Sequence, residues 1–197
     1  MSTQSVIVPG GNFPLPSHSA SPLLAFRCTP AIRPYLEEDI SANMSAAILI
    51  DAQVVYYEIA NAEPIQLSSD DTTIDVTVSW NGTALASGSV PLNATAYELP
   101  FSLEGIPPQM AAHDLSCEAM YGVTSEMFSE KTSLYVLPNP TDSSVTKMDL
   151  RTGALLAKPA DGTEGPYEPV FPIGFYTQFD QYLTTNLPVI NELKDQG

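Results

Sequence analysis

Basic residues are scarce in this sequence of 197 residues, in which seven Lys and Arg stand against 23 Asp and Glu. The formal net charge of −16 repels a phosphate backbone, because proteins bind nucleic acids by neutralising phosphates with Lys and Arg. Nucleic acids and anionic membrane surfaces are therefore excluded as partners. A neutral polysaccharide remains permitted, since sugars are bound through aromatic faces and hydrogen bonds rather than through net charge.

Long apolar runs are also missing. The longest, residues 46–57, is interrupted by Asp51 and Gln53 well short of the ~20 residues that a transmembrane helix needs. The first residues, MSTQSVIVPGGNFPLP, lack both the basic segment and the apolar run of a signal peptide. The sequence predicts no membrane span, and a secreted form would need a signal peptide that is not present in this sequence.

Motifs for cofactor chemistry and nucleophilic catalysis are absent as well. The two cysteines lack the spacing of a metal site, and the sequence has no phosphate loop or dinucleotide fingerprint. His18 lies in the proline-rich start and His113 opens a predicted strand, so no Ser-His-Asp arrangement is indicated. The acidic clusters at residues 37–39 and 70–71 lie in predicted loops and are expected to be solvated surface. We predict no catalytic residue, no metal and no cofactor.

Two features favour an oxidising, extracellular location. Asn43, Asn81 and Asn93 each begin an N-glycosylation sequon, where composition alone gives roughly one or two by chance. Cys28 and Cys117 both alternate with apolar residues in predicted strands, so both sulfurs should point inward and form a disulfide between two sheets. The alternative is a cytosolic domain with two buried free thiols.

Short runs of alternating apolar and polar residues dominate residues 23–138. In the clearest run, residues 74–80, every second side chain is apolar, which is the period-2 pattern of a half-buried strand. This run leads into Asn81-Gly82, a strong signal for a two-residue hairpin turn. Further strands are predicted at residues 23–28, 48–59, 83–90, 97–101, 113–121 and 131–137. About seven short strands at this spacing predict a mainly β fold, an immunoglobulin-like β-sandwich, preceded by a flexible leader at residues 1–22.

The pattern changes after Pro138. Residues 139–170 are predicted to be a linker that contains a hairpin, with its two strands at residues 145–150 and 154–157. Residues 171–176 then form a short apolar run, which is typical of a strand buried on both faces in a parallel sheet.

Apolar residues after this run recur at helical spacing as far as residue 193, with Pro188 at the first position of a new helix and Gly197 as its cap. One strand and one helix cannot bury their own apolar surface. Residues 171–197 are therefore expected to open an α/β domain that continues outside this sequence. The alternative is a terminal helix that packs against the sandwich.

Three segments near the end of the sequence follow one another in a characteristic order: KMDLRTGALLAKP, FPIGFYTQFDQYL and NLPVINELKDQG. They resemble the junction of multidomain glycoside hydrolases at which an immunoglobulin-like domain is followed by the catalytic (β/α)8 barrel. The resemblance covers residues 145–197 and departs from the usual pattern in the longer loop at residues 161–168. It implies the N-terminal, non-catalytic portion of a secreted glycoside hydrolase, inactive by itself because both catalytic carboxylates come from later barrel strands.

The resemblance also implies a weak candidate for substrate contact. Gly174, Phe175 and Tyr176 would end the first barrel strand, where aromatic rings stack on pyranose faces; the alternative is that they only fill the barrel. The implied partners are a carbohydrate, bound through the missing barrel, and the rest of the barrel itself. A second hypothesis is a stand-alone immunoglobulin-like surface module that binds carbohydrate or protein, although such a module has no need of the strand and helix at the end.

Overall fold

The structure, a computed structural model, describes residues 15–42, 44–122, 124–140, 145–159, 163–172 and 179–195. The chain is mainly β. It divides into two compact units, residues 1–143 and residues 144–197, which we call the first and the second unit.

Strands make up most of the first unit. In chain order they are β1 His18–Pro30, β2 Tyr35–Leu36, β3 Ser45–Tyr57, β4 Ala62–Pro64, β5 Thr73–Trp80, β6 Thr83–Pro91, β7 Tyr97–Ser102, β8 His113–Tyr121, β9 Glu126–Leu134 and β10 Val136–Leu137. One short helix, α1 Glu37–Ser41, follows β2. The longer strands form two four-stranded antiparallel sheets of order β4-β1-β3-β7 and β6-β5-β8-β9, and β2 pairs in parallel with β10.

Period-2 alternation in the sequence becomes alternation of burial in the sheets. Along β8 every residue that faces inward is buried and every residue between is exposed. The turn between β5 and β6 has φ values of 49° at Asn81 and 77° at Gly82. These left-handed values suit Asn and Gly, which is why this dipeptide joins the two strands so tightly. The predicted mainly β fold is confirmed.

The inner faces of the two sheets share one hydrophobic core, contributed by β1 and β3 on one side and by β5 and β8 on the other. Cys28 in β1 and Cys117 in β8 form a disulfide across this core, with 6.5 Å between their Cα atoms. The inward alternation of both cysteines predicted this bridge, and the alternative of two free thiols is wrong.

Two local features differ from the prediction. Strand β1 begins at His18, inside the predicted leader, because His18 pairs with Tyr57 ahead of a register shift that breaks the alternation before Leu23. The acidic residues 37–39 form α1 rather than a loop, and Asp39 is buried because its carboxylate accepts a hydrogen bond from the Leu36 N–H at 2.8 Å. The prediction of solvated surface is therefore wrong for Asp39.

The second unit contains a small antiparallel sheet of three strands in the order β11 Lys147–Asp149, β12 Ala154–Ala157 and β13 Glu168–Val170. A short π-helix, Phe179–Leu183, and the helix α2 Val189–Asp195 follow. Helix α2 begins at Val189, one residue after the predicted first position at Pro188. Of the predicted buried strand, Phe171 and Pro172 are not in a strand, and residues 173–176 lie outside the described residues, as does Gly197.

Candidate functional site

The residues proposed from sequence as sites fall in different parts of the chain. Gly174, Phe175 and Tyr176 lie outside the described residues, and so does Asn43. Asn81 and Asn93 are both exposed at turns of the first unit, where their φ values are positive. The two described sequons are thus accessible.

A groove of about 480 Å³ lies on the first unit where β3 ends and β5 begins. This volume falls in the range of small-molecule sites in proteins. We call it the end groove and define it by its lining residues: Val54, Tyr56, Leu67, Ser68, Asp71, Thr72, Leu92 and Asn93.

The apolar floor of the end groove is an extension of the core. In β3 the alternate residues Ile48, Ile50 and Ala52 are fully buried between the sheets. Tyr56 continues the same face of the strand but is 46% exposed. Leu67, from the loop after β4, is 44% exposed beside it.

One wall of the groove is the loop between β4 and β5, and a buried tyrosine holds it in place. The hydroxyl of Tyr121 accepts a hydrogen bond from the Ser68 N–H at 2.9 Å and donates one to the Asp71 carbonyl at 2.8 Å. The Asp71 carboxylate in turn accepts the Thr73 N–H at 3.1 Å. These bonds fix the polar groups of this loop at the edge of the groove.

The opposite wall is the loop between β6 and β7, which extends the pairing with β3 beyond Tyr97, the first residue of β7. The Asn93 N–H donates to the Ala52 carbonyl at 2.7 Å, and the Ala52 N–H donates to the Ala94 carbonyl at 3.0 Å. The next N–H of the strand edge, that of Val54, donates to Oδ1 of Asn93 at 3.0 Å. The Asn93 side chain therefore takes the place of a backbone carbonyl.

This contact settles which way the Asn93 amide faces. A backbone N–H only donates, so the atom that it meets must be the amide oxygen. Nδ2 then faces away from the strand edge and makes no hydrogen bond among the residues that the structure describes. Gln53 fixes the same loop by donating from Nε2 to the Asn93 carbonyl and to Oγ1 of Thr95, each at 2.8 Å.

An exposed aromatic cluster adjoins the groove. The ring of His18 stacks on Tyr56 with 6.3 Å between centroids and an interplanar angle of 20°. The same ring meets Tyr57 edge-on at 5.5 Å. Tyr57 is 52% exposed on the other face of β3. The sequence offered a signal for Tyr56 in its alternation with the core positions, but Leu67 comes from a loop without periodicity.

Two observations in the described residues bear on metal and acid–base chemistry. These residues contain no group of three or more His, Cys, Asp and Glu residues that could hold a metal ion. The pKa of Asp149 is lowered, chiefly because its carboxylate accepts the Arg151 N–H. A carboxylate held in its charged form in this way stabilises the β11–β12 turn and is poorly suited to act as a general acid.

No helix within the described ranges has the length and hydropathy of a bilayer span. Comparisons with protein-family models, with curated proteins and with solved structures found no match to this chain.

Proposed function

We propose that this chain forms the non-catalytic N-terminal region of a secreted glycoside hydrolase. In this proposal the first unit is an immunoglobulin-like sandwich, and the second unit begins the catalytic (β/α)8 barrel. The supporting observation is the exposed apolar surface of the second unit. Among its described side chains Val189 alone is buried, whereas eight large apolar side chains are exposed: Val145, Met148, Leu150, Val170, Phe171, Phe179, Leu187 and Ile190.

Exposed apolar surface on this scale is typical of a face that another part of a protein covers. A groove of about 540 Å³ lies within the same unit, between the β11–β12 turn and the end of β13, and its lining is mainly apolar. Further strands and helices of an α/β domain would cover such a face. The resemblance of residues 145–197 to a barrel junction supports the same assignment.

The secreted location is supported by the disulfide between Cys28 and Cys117, since such bonds persist in oxidising compartments. The sequons at Asn81 and Asn93 are exposed, as a glycosylated surface requires.

The test is to identify the natural polypeptide that contains these residues. An antibody raised against residues 18–137 should detect a secreted polypeptide much heavier than 21.2 kDa, and glycosidase activity should precipitate with it. The isolated chain of 197 residues should be inactive on the same panel of aryl glycosides. A natural secreted product of about 21 kDa, with no heavier form, would overturn the proposal.

The aromatic cluster favours a second candidate, a surface module that binds carbohydrate. His18, Tyr56 and Tyr57 offer exposed rings of the kind on which pyranoses stack. Co-sedimentation with insoluble cellulose, chitin and xylan tests it. Binding that is lost in Tyr57→Ala but kept in Tyr97→Ala, an exposed tyrosine of β7, would support this candidate, and no sedimentation would exclude it for these polymers.

A further inference from the structure

We propose that Asn93 carries an N-linked glycan and that the first N-acetylglucosamine of this glycan lies in the end groove. The inference rests on the secreted location proposed above. It gives the groove a covalently attached occupant that belongs to the protein itself.

The acceptor atom is already placed at the groove. Oδ1 of Asn93 is held by the Val54 N–H, so the amide cannot rotate freely and Nδ2 is the atom left for attachment. Asn93 itself lines the groove and is exposed. A sugar attached at Nδ2 would therefore begin at the groove, whereas a freely rotating side chain would allow many directions.

The modification needs a lipid-linked oligosaccharyl diphosphate as its donor. The bond between Nδ2 and C1 of the sugar forms, the bond between C1 and the diphosphate oxygen breaks, and the lipid diphosphate leaves with that electron pair. Nδ2 loses one proton in exchange for the sugar. Thr95 supplies the hydroxyl that completes the sequon.

The groove offers the two kinds of surface that a pyranose needs. Tyr56 and Leu67 are nearly half exposed and would pack against the apolar face of the ring. Ser68 and Asp71 lie on the loop held by Tyr121 and would meet its hydroxyl and acetamide groups. Covering this floor removes apolar surface from water, which favours a seated sugar over one that projects into solvent.

Asn81 provides the contrast within the same chain. It is also exposed and also begins a sequon, but it lies at a hairpin turn beside a smaller hollow of about 300 Å³. Polar residues line that hollow except for Leu115, which is only 1% exposed. A glycan on Asn81 therefore has no exposed apolar surface there on which to lie.

The experiment compares the two glycans on the native protein. The full chain is secreted from a eukaryotic host that adds high-mannose glycans, and Asn43 is replaced in every sample by Asn43→Gln. In this background, Asn81→Asp leaves only the sequon at Asn93, and Asn93→Asp leaves only the sequon at Asn81. Aspartate keeps the oxygen that accepts the Val54 N–H and tolerates the left-handed backbone. Glycopeptide mass spectrometry measures occupancy, and endoglycosidase H measures how readily the core of each glycan is reached.

We expect both sites to be occupied and the glycan on Asn93 to be released about tenfold or more slowly than that on Asn81, since release requires the sugar to leave the groove first. Denaturation should abolish the difference. Tyr56→Ala should also abolish it, whereas Tyr97→Ala, at an exposed tyrosine of β7 that does not line the groove, should leave it intact.

An occupied Asn81 with a bare Asn93, or equal release from the two native sites, would overturn the inference. If Tyr56→Ala does not fold, Leu67→Ser provides the same test from the loop side of the groove. None of these outcomes depends on the size of the natural polypeptide. Failure of the inference about the Asn93 glycan can therefore be distinguished from failure of the hydrolase proposal.

Discussion

The two units use their apolar residues in opposite ways. In the first unit, Leu24, Ile48, Ile50 and Val78 are completely buried between two sheets. In the second unit, Phe171 is 86% exposed, and it is one of several large side chains that face water. Both units contain an antiparallel sheet, so the presence of a sheet alone does not explain the difference.

The difference follows from how each unit is closed. Two sheets that face each other bury both inner surfaces, and a disulfide joins them across the shared core. In the second unit the described residues form a single three-stranded sheet followed by short helices, and they contain no second layer of comparable size. The first unit is therefore expected to be stable without a partner, and the second to gain most of its stability from one.

The largest effect that would break this comparison is loss of the disulfide. Cys28→Ala with Cys117→Ala opens a loop spanning 89 residues and should lower the free energy of unfolding of the first unit by about 5 kcal/mol in the loop-entropy model. Urea denaturation followed by the fluorescence of Trp80, the single tryptophan of the chain, reports on this unit alone. Unfolding of the wild type under reducing conditions should give the same curve. An unchanged midpoint would show that the core needs no cross-link.

Much of the first unit could be predicted from sequence because burial in a sheet follows a period of two residues. That period gave β5 and β8 and placed both cysteines on the inner faces, and the Asn81-Gly82 dipeptide identified the hairpin turn. The first residues of β1 were missed because a register shift interrupts their alternation. Helix α1 was missed because five residues are too few to show a helical period.

The end groove could be predicted only in part. The sequon identified Asn93, and Tyr56 lies within the strand predicted at residues 48–59. The groove itself depends on strand β3 and two loops that are far apart in sequence and meet only in the folded chain. Nothing local in the sequence shows that Tyr121 fixes one of its walls through two backbone hydrogen bonds.

Two matched Phe→Ala substitutions, one in each unit, are expected to give the next largest effect on the free energy of unfolding. Phe26→Ala removes a ring that is 3% exposed in the core and should cost about 4 kcal/mol of unfolding free energy. Phe171→Ala removes the same atoms from a site that is 86% exposed and should change the unfolding free energy by less than about 0.5 kcal/mol. Calorimetry of the whole chain measures both. A large loss from Phe171→Ala would show that the second unit already has a core of its own.

The smallest expected effect concerns the hydrogen bonds that the Asp149 carboxylate accepts in the β11–β12 turn of the second unit. The Asp149 carboxylate accepts hydrogen bonds from the Arg151 N–H at 3.0 Å and the Thr152 hydroxyl at 2.9 Å, and the Arg151 guanidinium lies 3.8 Å away. These contacts, chiefly the first, hold the pKa of Asp149 below its usual value. The ionised form therefore stabilises the turn above the unfolded pKa of about 4, and this contribution is lost as the pH falls through the folded pKa.

Asp149→Asn should weaken the β11–β12 turn by about 1 kcal/mol at neutral pH and remove its acid sensitivity, because the amide has no charge to lose. The measurement is an NMR titration that follows the backbone amides of Arg151 and Thr152 between neutral and strongly acidic pH. Asp180→Asn, at an exposed site in the π-helix of the same unit, should leave that titration unchanged. A midpoint in the range of a free aspartate would show that the turn is not held by Asp149. A depressed midpoint would show that the second unit is ordered locally by polar contacts even where its apolar side chains remain uncovered.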